Sequence, residues 1–120
     1  DLVDAIATNS LGTLLRSFPD EMTPLMYEWA ADEDVWIRRS AILAQLKFKS
    51  ATNEALLIYA VEHSRQDPDF FARKAIGWAL REYSKTRPDF VAGYISENEK
   101  KLSPLSVREG LRLLRKRSNR

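Results

Sequence analysis

Lys74, Trp78, Arg81 and Lys85 are the residues of this 120-residue chain best spaced to act together. On a helix, their offsets of four, seven and eleven residues set all four in one stripe. The opposite face of the same stretch carries Ala72, Ile76, Leu80 and Tyr83, enough apolar surface to bury it. A tryptophan among cations, away from the apolar face, is costly unless something planar or anionic meets it. The chemistry this points to is nucleic-acid recognition.

A carboxylate enters through an internal repeat. Arg39-Ser40-Ala41-Ile42 recurs 34 residues on as Arg73-Lys74-Ala75-Ile76, and 35 further as Arg108-Glu109-Gly110-Leu111. Counting 35 back from Arg39 reaches Asp4, in the weaker match Asp4-Ala5-Ile6-Ala7. Asp4 thus holds a repeat position that is basic in the other units. One acid beside a cationic groove can stabilise a developing positive charge; the plainer alternative puts Asp1 and Asp4 on an exposed helix face. Trp29 and Trp36 fit the core or the packing between repeats. His63 closes a helix, as a solvated or capping residue. The chain has no glycine-rich phosphate loop, nucleophile elbow or Ser/His pair.

The elements that must position these residues are all helices, because apolar residues recur at three and four throughout. We expect them near residues 1–8, 11–17, 23–31, 35–49, 52–64, 68–85, 88–97 and 105–116. Thr23-Pro24 and Asp67-Pro68 each supply a cap and a first-turn proline. Pro88 opens a helix with Asp89 in its first turn, and Ser106-Val107-Arg108-Glu109 has the form of a capping box. Two helices every 34–35 residues predict an all-α superhelix, a HEAT-like solenoid of antiparallel helix pairs in a single domain. The helix from Val35 is apolar nearly all round, as suits one sandwiched inside such an array.

In that frame a cation falls in the first turn of the second helix three times. The helix dipole disfavours this by roughly 0.3–1 kcal/mol. Either the stacked cations line one edge of the solenoid for phosphates, or Arg39 and Arg73 pair with neighbouring acids such as Asp34 and Asp69.

The net charge of +2 hides an asymmetry. Residues 1–60 carry 5 basic and 9 acidic side chains, and residues 61–120 carry 14 and 8. The excess gathers at Arg108, Arg112, Arg115, Lys116, Arg117 and Arg120, which suits either a polyanionic partner or a solvated basic tail. The absence of cysteine excludes disulfides and thiolate zinc sites and makes an intracellular setting the default. A single histidine argues against a metal site, and no apolar run approaches the roughly 20 residues of a membrane span.

Several strings together resemble one family. They are Asp1-Leu2-Val3-Asp4-Ala5-Ile6-Ala7; Trp36-Ile37-Arg38-Arg39-Ser40-Ala41-Ile42-Leu43; Phe70 to Tyr83; Lys85-Thr86-Arg87-Pro88-Asp89; and Leu102-Ser103-Pro104-Leu105-Ser106-Val107-Arg108-Glu109. In order, they resemble the C-terminal half of DNA alkylation repair enzymes of the AlkD type, the DNA glycosylases built from HEAT-like repeats. The start at Asp1 reads the same way, as part of something longer.

The resemblance implies hydrolysis of the N-glycosidic bond of cationic N3- or N7-alkylated purines, such as 3-methyladenine and 7-methylguanine, in duplex DNA. It assigns the catalytic aspartate to Asp4, the groove arginine to Arg39 and one active-site tryptophan to Trp78. The family's other tryptophan falls just ahead of the first residue here. Phosphate contacts are expected from Arg38, Arg73, Lys74, Arg81, Lys85, Arg108 and Arg112. The implied enzyme needs no cofactor or metal, works as a monomer in a bacterial cytoplasm, and makes no membrane contact. The 120-residue chain alone is expected to bind DNA weakly, release little base and self-associate through an exposed repeat face. The alternative function is a non-catalytic repeat module that binds nucleic acid or protein.

Overall fold

The computed structural model describes residues 7–118, and every regular element among them is helical. Asp4 and nearly all of the helix expected at 1–8 lie outside the described residues. A π-helical turn, Ala7–Leu11, runs into α1 (Gly12–Ser17), followed by α2 (Pro19–Ala30) and α3 (Val35–Leu43). A short 3-10 turn at Lys49–Ala51 precedes α4 (Glu54–Glu62), α5 (Phe70–Ser84) and α6 (Pro88–Asn98). A second 3-10 turn, Glu99–Lys101, leads to α7 (Pro104–Ser118).

Helices α3, α5 and α7 begin at Val35, Phe70 and Pro104, reproducing the repeat spacing. They form one layer, α5 packing on α3 and, most extensively, on α7. Helix α2 packs on α3 and α4, while α6 packs on α5 and α7. The result is an all-α helix-pair repeat. Its main core joins Ile42 and Leu43 of α3, Val61 of α4, Ile76 and Leu80 of α5, and Ile95 of α6. Ala72, Ile76, Leu80 and Tyr83 are all buried, so the apolar face expected of α5 is the one it uses. Trp29 packs against this core and against a smaller cluster around Leu15, Met26 and Leu56.

Several helix starts fall earlier or later than expected. Helix α2 starts at Pro19, with Asp20 and Glu21 in its first turn, and Pro24 lies inside it. The first proline already supplies a fixed φ without a lost hydrogen bond, so Thr23-Pro24 caps nothing. Asp67 makes an Asx turn to the Asp69 N–H (2.8 Å), and Asp69 is the cap, accepting from the Ala72 N–H at 2.9 Å. Likewise the Ser103 hydroxyl oxygen, not that of Ser106, caps α7, accepting from the Ser106 N–H at 3.0 Å. The Ser106 hydroxyl instead donates to the Arg73 carbonyl at 2.9 Å and ties α7 to α5. Pro88 does open α6, as its first residue.

These starts also remove the dipole anomaly. Arg39 and Arg108 fall fifth in their helices and Arg73 fourth, each past the first three positions. Asp34 and Asp69 put their carboxylates on the helix N-termini, Asp34 accepting from the Trp36 N–H at 2.8 Å. The acids therefore act as caps, the favoured sign for the dipole.

Helix α3 stops at Leu43, six residues short of the expected end. The Gln45 side chain clasps Asn53, accepting from its N–H (2.6 Å) and donating to its carbonyl (3.1 Å). That pairing fixes the turn between the two repeats, and Lys49 within it takes a left-handed φ of 52°.

Close approach of α5 and α7 depends on Gly77. A Cβ there would lie 2.7 Å from Glu109 Cβ, an atom fixed to the α7 backbone. Gly77→Ala is expected to cost about 1–2 kcal/mol, because overpacking outweighs alanine's better helix propensity. The check is the urea midpoint, which falls if α7 cannot give way and rises if it can.

Candidate nucleic-acid interface

The helix stripe read from the sequence is opened by the neighbours of α5. Trp78 is half-buried, packing on the core while its ring walls two clefts at once. Between α5 and α7 lies a cleft of about 490 Å³ lined by Phe70, Lys74, Trp78, Arg81, Leu105, Glu109 and Arg112. Glu109 accepts a hydrogen bond from Arg81 (3.4 Å) and forms an ion pair with Arg112 (3.8 Å). Three cations and one acid leave this cleft positive, with Lys74 and Arg112 exposed at its rim.

On the other side of Trp78, a cleft of about 760 Å³ lies between α5 and the turn after α3. Its lining includes Ile42, Leu57 and Ala79, with Lys47, Lys49 and Lys85 around them. Tyr83 also lines it; burial, reinforced by the Glu54 carboxylate that accepts its O–H at 2.8 Å, raises its pKa above the usual 10.

The first turns of α3 and α5 carry an aromatic cluster. Trp36, Phe70 and Phe71 are 45%, 56% and 40% exposed. Trp36 and Phe71 stack with centroids 6.0 Å apart, and Phe70 meets Phe71 edge-on at 5.4 Å. Arg39 is only 1% exposed, its guanidinium 4.8 Å from the Trp36 ring centre and 5.2 Å from that of Phe71. Trp36 therefore lies outside the core and packs between repeats, on Phe71, with one side left exposed. Arg39 is thus buried beneath two rings, its guanidinium within cation–π distance of both.

The remaining expected residues divide. Lys74, Trp78, Arg81 and Arg112 come together in one cleft, and Lys85 reaches the other, paired with Glu82 at 3.0 Å. Arg38 does not join them. It is half-buried in a brace between repeats, bonded to Asp67, to the Ser64 hydroxyl (3.1 Å) and to the carbonyls of Asp32 (2.7 Å) and Glu33 (2.9 Å). Arg73 points the same way, donating to the Asp67 carbonyl at 3.1 Å. Both arginines satisfy loop acceptors that only the folded array presents. Arg108 lies in a separate cleft with Arg115 and Glu99. His63 caps α4, its Nδ1 3.0 Å from the Tyr59 carbonyl oxygen.

Sequence reasoning missed Trp36, Phe70, Phe71, Lys47 and Lys49. A signal existed for Trp36: Trp36 and Arg39 repeat the three-residue spacing of Trp78 and Arg81. Adjacent Phe70 and Phe71 point about 100° apart on a helix, so one narrow apolar stripe cannot bury both. Among the described residues no cluster of His, Cys, Asp and Glu is arranged to hold a metal ion. None of the helices in the described region is long and apolar enough to cross a membrane.

Known proteins sharpen the picture. A family model described as DNA alkylation repair enzyme matches residues 1–114. Among solved structures, the fold is similar to that of a protein described as a predicted DNA alkylation repair enzyme from Enterococcus faecalis, with a TM-score of 0.83 and 38% identity. That likeness covers 91% of this chain and 50% of the other, so the chain spans about half the length of this relative. No curated protein matches. The family match runs through every element that forms the two clefts, and the chain belongs to the DNA alkylation repair enzyme family.

Proposed function

We propose that the protein acts as a DNA glycosylase on N3- and N7-alkylated purines in duplex DNA. The observation that carries this reading is Trp78, a half-buried indole between two clefts rimmed by Lys74, Arg81 and Arg112 on one side and three lysines on the other. A ring so placed meets a nucleotide while Lys74, Arg81 and Arg112 hold phosphates.

The chemistry asks little of the protein. An alkylated purine is already cationic, so the C1′–N bond breaks with its electron pair moving to the base, which departs neutral. The sugar becomes oxocarbenium-like. Water then adds its oxygen to C1′ and releases a proton to solvent or to a nearby carboxylate. Asp4 is the proposed carboxylate, stabilising the cation and orienting the water. Trp78 favours the same cation through its π face. Arg39, buried under Trp36 and Phe71, positions the aromatic wall of the groove.

The test is release of 3-methyladenine and 7-methylguanine from methylated duplex DNA, with product separated chromatographically. We expect release dependent on protein and slowed about tenfold or more by Trp78→Ala, the loss of roughly 1–3 kcal/mol of stacking and cation–π stabilisation. Salt-sensitive duplex binding without any base release, by a chain carrying the upstream repeats as well as by this one, would leave a binding module and remove the enzymatic reading.

A further inference from the structure

The larger cleft has features that the glycosylase chemistry leaves unused. Lys47, Lys49 and Lys85 surround it, and its acid, Glu82, is already paired with Lys85. The two remaining lysines sit on the turn whose path the Gln45–Asn53 bonds fix. Lys47 is held by the side-chain oxygen of Asn9 at 3.0 Å. Lys49 adopts φ 52°, a conformation that glycine or asparagine takes with less strain. A lysine there adds charge where backbone ease would choose otherwise.

Both clefts share Trp78, so cations continue from Arg112, Arg81 and Lys74 across the indole to Lys85, Lys49 and Lys47. A run of this kind suits a line of phosphates better than one compact anion; duplex DNA presents a charge about every 1.7 Å. We infer that the turn carrying Lys47 and Lys49, with Lys85, is a second backbone-gripping edge, holding the sugar–phosphate chain of duplex DNA on the far side of Trp78 from Arg81. This inference rests on DNA being the partner in the reading above.

The test uses the full chain carrying Lys47→Gln and Lys49→Asn together. Glutamine keeps a donor for Asn9 and asparagine tolerates the left-handed backbone, so the fold is spared. Anisotropy titrations of undamaged duplex at several salt concentrations give the slope of log affinity against log salt. Each lost phosphate contact makes it shallower by about 0.9, so the double variant should flatten it by about 1.8. Lys100→Gln with Lys101→Gln, on the exposed turn before α7, serves as the control for net charge and should leave it unchanged. A double variant with the parent slope, or a control that flattens it equally, overturns the inference while leaving the glycosylase reading intact. Absence of any salt-dependent duplex binding by the parent chain overturns both.

Discussion

Asp4→Asn, placed in a complete enzyme that carries the upstream repeats, is expected to slow base release from methylated duplex DNA by roughly a thousandfold, with duplex affinity kept or raised. The substitution preserves shape and removes one negative charge. A carboxylate about 4 Å from an oxocarbenium-like sugar, at an effective dielectric of ~20, contributes on the order of 4 kcal/mol. That corresponds to about three powers of ten in rate. Ground-state DNA is itself an anion, so losing an acid from a cationic groove does not weaken the complex. Single-turnover rates measured with affinities on the same duplex separate the two effects. Unchanged release in Asp4→Asn would take this residue out of the mechanism.

Arg39→Ala should be the most damaging substitution for stability, at about 3 kcal/mol or more. Truncating a large side chain that is 1% exposed leaves a cavity beneath the Trp36–Phe71 stack. It also forfeits two cation–π contacts of roughly 0.5–2 kcal/mol each. Arg39→Lys should recover only part of the loss, because an ammonium has no flat face to lay against two rings. Against a typical total of about 5–15 kcal/mol, the alanine variant should melt at a clearly lower temperature. Equal melting temperatures for Arg39→Ala and the parent would mean that the aromatic wall stands without the guanidinium. Arg39→Met carries a separate expectation: because the side chain is buried, loss of its charge leaves the salt slope of duplex binding unchanged, in contrast to Arg81→Met.

Three classes of variant therefore report on different layers. In the proposed complex Lys47, Lys49, Lys74 and Arg81 act on the approach of a polyanion, and their variants should show in salt dependence. In the proposed reaction Asp4 and Trp78 act on the transition state, and their variants should show in the rate of base release. Arg39 and Gly77 hold helices and rings in place and show first in the melting curve.

Local periodicity alone determined the helical class, the spacing of 34–35 residues and the face of α5 that becomes core. Each of these depends on residues three or four apart, and Ala72, Ile76, Leu80 and Tyr83 are buried as that spacing requires. The same holds for the stripe of Lys74, Trp78 and Arg81, which one helix sets without help. What only the tertiary structure decided is which cations are left for a ligand. Arg38 is taken by Asp67, 29 residues away, and Ser106 by the Arg73 carbonyl, 33 away. Arg39 is covered by Phe71 from the next repeat, and Lys47 and Lys49 reach the groove only because Gln45 turns the chain onto Asn53. A charged side chain is claimed by whichever buried acceptor or ring comes nearest, and the packing of successive repeats decides which that is.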